Sequence, residues 1–217
     1  MVGHTGRDVS PVPAYHRSMA DQLTIRPLTP DRLPDLAELF GQGGDPKWCW
    51  CAYFRVRGVD FSSGSGARHR KVLEDATVET SRVGRAPGLV AYRDGEIVGW
   101  VSVGPREDYV RLQHSKVLAP VDDKPVWSIV CFVVGRAARG QGVAAALLDA
   151  AIDYARDHGA TMLEAYPVEV PPGERIHAGE VYKGTLSMYE RAGFEVVDRR
   201  QWNSRTPVRP IVRLALD

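Results

Sequence analysis

Apolar residues recur with two different periods along the chain, and each period predicts one kind of element. Alternation over residues 23–28 predicts a strand, and Pro27 within it favours a sheet edge because proline has no N–H for a second neighbour. Apolar residues at helical spacing predict a helix that ends near Phe40. After a Ser/Gly segment, the charged residues 67–83 are a second helix candidate. The pattern therefore predicts a strand followed by two helices.

The middle of the chain carries a hairpin signal. Residues 88–93 and 96–103 have strand patterns and flank Asp94 and Gly95, a pair that supplies the positive φ angles of a type I′ turn. Residues 126–134 then form a nearly continuous apolar run, which is typical of a strand buried on both faces. We expect this strand at the centre of the sheet.

Strand and helix patterns alternate after this central strand. Helical spacing continues to Asp157, and a glycine stop separates it from a strand over residues 161–166. Because a strand, a helix and a strand in succession form a parallel pair, the sheet should be mixed. The last predicted elements are a short helix over 184–192 and strands over 194–199 and 208–216.

The composition is that of a globular domain. Hydrophobic residues make up 44% and charged residues 25% of the 217 residues, which excludes disordered, collagen-like and membrane-embedded chains. The predicted fold class is α/β (α+β), with one domain over residues 21–217 after a flexible tail at residues 1–20. Its central sheet is expected to be mixed, mainly antiparallel and flanked by helices.

Charge and cysteine content bear on partners and location. The chain has 28 Lys and Arg against 27 Asp and Glu, with net charge +1 and no run of five like charges. Neither nucleic acid nor a membrane is therefore expected as a partner. Three cysteines cannot all pair, and the first twenty residues lack the apolar stretch of a signal peptide, so we expect a cytoplasmic protein. The sequence leaves a homodimer open.

A glycine-rich turn at residues 139–144 lies between the central strand and the following helix. Its glycines would let backbone N–H groups approach an anion at the helix N-terminus, which predicts a phosphate site. Glycines at 135 and 140 have Walker spacing, but the Lys and Ser or Thr that should follow are missing. A G-x-G-x-x-A match at residues 140–145 keeps a dinucleotide fingerprint as an alternative.

The turn and the order of elements resemble the GCN5-related N-acetyltransferases (GNAT). Residues 139–144 match the family signature Q/R-x-x-G-x-G/A at every specified position, and Tyr189 to Phe194 matches its Y-x-x-x-G-F segment. The family usually has an asparagine near the position of Tyr182, which this chain lacks. The resemblance covers residues 23–216.

This resemblance implies an acetyl-CoA site without a metal. The pantetheine would add like a strand to the main chain of Phe132, Val133 and Val134. The pyrophosphate would lie on the amides of Arg139, Gly140, Gln141, Gly142, Val143 and Ala144.

Two residues are candidates for proton transfer. Tyr189 matches the family's general acid, which would protonate the departing thiolate. Glu164 is the candidate base because it is a carboxylate among apolar neighbours on a strand. Glu169, Glu180 and an ordered water are alternative bases.

An aromatic and cysteine-rich segment is the candidate acceptor site. Trp48, Trp50, Tyr53 and Phe54 lie where the family builds its acceptor pocket, and aromatic walls suit an apolar or cationic amine. Cys49 and Cys51 lack the spacing of a zinc site and are expected to pack in the core. A route through an acyl-cysteine at Cys131 is an alternative to direct attack.

The predicted function is acetyl transfer from acetyl-CoA to the primary amine of a small molecule, by direct attack in a ternary complex. A protein or peptide acceptor and a non-catalytic acyl-CoA sensor are the two alternatives.

Overall fold

The computed structural model describes residues 15–17, 23–170, 181–204 and 206–216. Its strands, numbered in chain order, are β1 (Tyr15–Arg17), β2 (Leu23–Pro27), β3 (Gly88–Arg93), β4 (Glu96–Pro105), β5 (Trp127–Val134), β6 (Met162–Ala165), β7 (Glu195–Arg200) and β8 (Arg209–Ala215). Its helices are α1 (Leu33–Gly41), α2 (Pro46–Cys49), α3 (Gly58–Ser62), α4 (Gly66–Arg82), α5 (Val110–His114), α6 (Val143–Asp157) and α7 (Leu186–Arg191).

The strands form one sheet in the order β1-β2-β3-β4-β5-β6-β8-β7. Within the described ranges, the β5–β6 pair is parallel and all other strand pairs are antiparallel. This arrangement confirms the predicted mixed, mainly antiparallel sheet with the apolar strand β5 near its centre. The turn between β3 and β4 has φ of +51° at Asp94 and +85° at Gly95, which agrees with the predicted hairpin.

The structure corrects the prediction that β2 is an edge strand. β1 pairs with it through Tyr15–Ile25 and Arg17–Thr24, and Pro27 lies beyond this short pairing. β1 falls within the predicted flexible tail. The remainder of residues 1–20 and the domain boundary at residue 21 lie outside the described residues.

Helices cover both faces of the sheet, and each face has its own apolar cluster. One cluster joins the sheet to α6 and α7, and the other joins it to α1 and α4. Gly99 brings the first turn of α6 directly onto β4, because a Cβ there would lie 2.8 Å from Val143 and 2.9 Å from Leu147. This close packing fixes the start of α6 at the end of β5.

Candidate active site

The loop from β5 to α6 exposes backbone donors at a helix start. Gly140 and Gly142 have φ of +73° and +77°, in the left-handed region that glycine adopts without strain. The amide of Ala146 makes the first hydrogen bond of α6, to the Gly142 carbonyl, so the preceding amides have no acceptor within the helix. Together with the helix dipole, these amides form a site suited to a phosphate group.

A groove of about 700 Å³ lies over this loop and will be called the donor groove. Seven of the predicted cofactor residues line it: Phe132, Val134, Arg139, Gly140, Gly142, Val143 and Ala144. Arg139 is held over the end of β5, because its Nε donates to the Val134 carbonyl at 3.2 Å. The groove also includes Arg136, which sequence reasoning did not single out although it opens the same loop.

Two predicted cofactor residues do not line the donor groove. The Gln141 side chain bonds to the Ala137 carbonyl at 2.7 Å and to Arg93 instead. Val133 points to the opposite face of β5, because side chains alternate along a strand. Val133 can therefore contact the acetyl donor through its main chain but not through its side chain.

Among the described strands, the second half of β5 beside the donor groove is paired on one side only. β6 pairs with β5 only over Trp127–Ile129, whereas β5 continues to Val134 with β4 on its other side. No other strand of the described chain pairs with this second half of β5 on the β6 side. An extended ligand can therefore hydrogen-bond there as a further strand would.

A second cavity, of about 590 Å³, lies on the other face of β5 and will be called the acceptor cavity. Trp48, Tyr53 and Phe54, all predicted acceptor residues, line it. Phe61 joins them, with its ring 4.7 Å from that of Trp48 and 5.2 Å from that of Tyr53; no motif marked it in the sequence. Other lining residues include Asp45, Cys49, Cys51, Cys131, Val133 and Lys183.

Trp50 is not part of this cavity, which corrects the sequence prediction. Its side chain is buried in the core with its ring 5.2 Å from Phe40, and its indole N–H donates to the Lys47 carbonyl at 3.1 Å. Trp50 and Cys51 have φ of +46° and +51°. This left-handed turn directs Trp50 inward, while Trp48 remains 43% exposed at the cavity.

Glu164 does not fit the role of general base. It is fully buried, lines neither cavity and accepts hydrogen bonds from Arg106 at 2.6 Å, Tyr166 at 2.6 Å and Arg213 at 2.8 Å. Its carboxylate is therefore paired with two guanidinium groups. These contacts link β6 to β8 and to the segment after β4. Glu164 is therefore a core residue, the partner of two buried cations.

Of the two alternative carboxylates, Glu169 does not replace Glu164 as the base. Glu169 is exposed, pairs with Arg199 at 3.3 Å and lines neither cavity. Glu180 lies outside the described residues.

Tyr189 lies beneath the donor groove. It is fully buried, and its hydroxyl donates to the Lys183 carbonyl at 3.3 Å. A Cβ at Gly184, which lines the groove, would lie 3.0 Å from the Tyr189 ring. Burial raises the pKa of Tyr189 well above its usual range, so its hydroxyl stays protonated.

Tyr182 is a residue that sequence reasoning did not list for the site. Its side chain and Gly44 line both the donor groove and the acceptor cavity, so they mark where the two meet. A Cβ at Gly44 would lie 3.3 Å from the Tyr182 hydroxyl. The sequence signal for Tyr182 was its position, because the family that the chain resembles usually has an asparagine there.

In the described part of the chain, no helix is long and apolar enough to cross a membrane. Among the same residues, no group of three or more His, Cys, Asp and Glu side chains is arranged to hold a metal ion.

Solved structures of acetyltransferases share this fold at low sequence identity. An agmatine N-acetyltransferase superposes with a TM-score of 0.57 at 12% identity, covering 89% of this chain and 99% of its own. A histone acetyltransferase HPA2-related protein from Corynebacterium glutamicum gives 0.53 at 20% identity, covering 90% and 97%. The PaiA N-acetyltransferase of Thermoplasma acidophilum, in complex with coenzyme A, gives 0.51 at 15% identity, covering 89% and 99%.

The family assignment comes from the sequence itself. No curated protein matches the chain in sequence. A family model described as the acetyltransferase (GNAT) family matches residues 54–194, more than half of the chain. This stretch contains β5, which borders both cavities, the glycine loop and Tyr189. The chain therefore belongs to the GNAT family of acetyltransferases.

Proposed function

We propose that the protein transfers an acetyl group from acetyl-CoA to the primary amine of a small apolar molecule, by direct attack in a ternary complex. One observation carries this proposal: two cavities lie on opposite faces of β5 and meet at Gly44 and Tyr182. A donor and an acceptor can then be bound together, each on its own side of the strand. Direct attack needs this simultaneous binding.

The residues of the donor groove suit coenzyme A. The helix-start amides and Arg139 complement a diphosphate, and the half of β5 that no described strand pairs on the β6 side complements the amide groups of pantetheine. A Cβ at Gly142 would meet no atom within 4 Å, so the glycine leaves open space toward the groove. The bound thioester supplies the activated acetyl group.

The protein's contribution to the chemistry is orientation and proton control. Tyr189 holds a protonated hydroxyl beneath the groove. In the proposed reaction this hydroxyl reaches the leaving sulfur of coenzyme A and donates its proton to it. Asp45 places a carboxylate in the wall of the acceptor cavity, where it would attract the ammonium form of the amine. Cys131 faces the acceptor cavity instead of the donor groove, which favours direct attack over an acyl-cysteine route.

The shape of the acceptor cavity favours a small molecule over a protein. Its volume of about 590 Å³ is in the usual range for small-molecule sites, and aromatic rings form much of its wall. Phe61 contacts both Trp48 and Tyr53 edge to face, so the three rings form a continuous apolar surface. An arylalkylamine fits these features well.

The proposal is tested by thiol release from acetyl-CoA with a panel of amines. The panel contains an arylalkylamine, a short aliphatic diamine, a peptide with a free N-terminus and a control without an amine. We expect the arylalkylamine to give the highest kcat/KM. A peptide preferred over every small amine would contradict the small-molecule proposal, and acetyl-CoA binding without release on any amine would favour a sensor.

Replacing the cavity carboxylate should weaken amine binding. Asp45→Asn should raise the KM of the preferred amine about tenfold, because one charge-assisted hydrogen bond of about 1.5 kcal/mol is lost. The variant should fold normally, since the Asp45 side chain makes no capping hydrogen bond to α2. Asp123→Asn, an exposed carboxylate that lines neither cavity, is the matched control. An unchanged KM in Asp45→Asn would remove this residue from amine binding.

Removing the groove arginine should weaken donor binding. Arg139→Ala should lower acetyl-CoA affinity by about 1 to 2 kcal/mol, the scale of a charge-assisted hydrogen bond to phosphate. Calorimetry measures the change, with Arg156→Ala as a control because Arg156 is an exposed arginine at the far end of α6. Equal affinities for Arg139→Ala and wild type would show that Arg139 is a solvated loop residue.

A further inference from the structure

Three cysteine thiols line the acceptor cavity, and the proposed reaction uses none of them. Cys49 and Cys51 belong to the segment around α2, whereas Cys131 lies on β5. The Sγ atoms of Cys51 and Cys131 nevertheless lie 3.2 Å apart, in direct contact. All three cysteines are free thiols in the structure.

The surroundings of Cys51 favour its thiolate. The Trp100 indole N–H donates to its sulfur at 3.1 Å. The hydrogen bond with Cys131, assisted by Trp100 and the Arg55 guanidinium, lowers the pKa of Cys51 below its usual value. In contrast, burial raises the pKa of Cys49 to about 12. Cys51 is therefore the nucleophilic thiol of the three.

The backbone holds Cys51 at this place. Trp50 and Cys51 both have left-handed φ values, a conformation that non-glycine residues adopt only when the surrounding structure imposes it. The resulting turn places the Cys51 sulfur against β5 and at the cavity wall. A small oxidant that enters the cavity can therefore reach it.

We propose that Cys51 and Cys131 form a modification site, a dithiol that hydroperoxides oxidise to a disulfide. The Cys51 thiolate attacks one peroxide oxygen, the O–O bond breaks, and a sulfenic acid and hydroxide form; the hydroxide takes up a proton to become water. The Cys131 sulfur then attacks the sulfenic sulfur, the S–O bond breaks, and a second water leaves with the Cys131 proton. In sum, two thiols and one hydrogen peroxide give one disulfide and two waters.

The disulfide would change the acceptor cavity and leave the donor groove as it is. A disulfide bond is about 2 Å long, so the two sulfurs must approach by about 1 Å. This movement pulls the segment that carries Trp48 and Tyr53 toward β5. The donor groove lies on the opposite face, where Phe132 and Val134 point away from Cys131.

The site is tested by treating the reduced full-length protein with hydrogen peroxide and quenching it. We expect the count of titratable thiols to fall from three to one. The intact mass should fall by about 2 Da, and a proteolytic digest should contain a Cys51–Cys131 linked peptide, which dithiothreitol releases. Cys49→Ser should still form this disulfide, whereas Cys131→Ser should not and should accumulate oxygen adducts at Cys51.

Three results would overturn the site: unchanged thiols in the wild type, a disulfide that involves Cys49, or oxygen adducts without a crosslink. All three are read from the wild-type protein, so the test does not depend on whether a cysteine variant folds. Only a second measurement rests on the proposed function. In it, oxidation should lower kcat/KM for the preferred amine on the order of tenfold, with acetyl-CoA affinity unchanged, because displaced walls misplace the acceptor.

Discussion

Gly142→Glu should abolish acetyl-CoA binding while the protein remains folded. Gly142 lines the donor groove with a left-handed φ of +77°, and a Cβ there enters open space in the groove. A glutamate would therefore fill the space over the helix-start amides and place a negative charge where a diphosphate should lie. We expect the affinity to fall by at least 100-fold in calorimetry, about 3 kcal/mol or more.

The chain offers a matched control at the other end of the same helix. Gly159 also has φ of +77°, is exposed, and its Cβ would meet nothing within 4 Å, but it lies outside the groove. Gly159→Glu adds the same charge and the same backbone strain, about 1 to 2 kcal/mol. It should therefore lose similar stability and keep acetyl-CoA affinity. Equal affinity losses in both variants would trace the effect to strain instead of the groove.

Features encoded by adjacent residues could be predicted from the sequence. The hairpin turn at Asp94 and Gly95 and the glycine loop at residues 139–144 are local, because their backbone angles depend on the residues that form them. The long apolar run of β5 likewise identified the central strand, since only a strand covered on both faces is apolar throughout. These signals were sufficient for the sheet type, and the resemblance to the GNAT family added seven residues that line the donor groove.

Features that depend on distant partners could not be predicted. Glu164 has apolar neighbours in sequence, and nothing local indicates that Arg106 and Arg213 fold against it. Trp48 and Trp50 have similar local contexts, yet a left-handed turn sends one to the cavity and the other to the core. The contact of Cys51 with Cys131 and the position of Tyr182 between two cavities also require the tertiary structure.

Tyr189→Phe should lower turnover about 100-fold or more with little change in acetyl-CoA affinity. The substitution removes only the hydroxyl and keeps the ring that packs on Phe132 and Phe194, so the fold should survive. General acid catalysis typically contributes about 10²- to 10⁴-fold to a rate, which sets the expected size of the loss. Steady-state kinetics with the preferred amine measures it.

A second buried tyrosine separates catalysis from stability. The Tyr154 hydroxyl accepts from the Ala86 amide at 2.6 Å and lies in neither cavity, so Tyr154→Phe loses a buried hydroxyl away from the site. It should keep wild-type turnover. Similar losses of turnover in Tyr154→Phe and Tyr189→Phe would mean that weakened packing causes both.

Tyr182 is the rival proton donor, because its side chain lines both cavities and that of Tyr189 lines neither. If Tyr189 is the acid, Tyr182→Phe should change turnover by less than about tenfold, below the usual contribution of a general acid. A 100-fold loss confined to Tyr182→Phe would transfer the role to Tyr182.

The pH profile of the rate adds a check on Tyr189. Burial raises the pKa of Tyr189, so its hydroxyl remains protonated beyond the ordinary tyrosine value of about 10. The wild-type rate should therefore show no fall near pH 10 from Tyr189, and a fall there that Tyr189→Phe abolishes would mean that the hydroxyl is exposed to solvent during turnover.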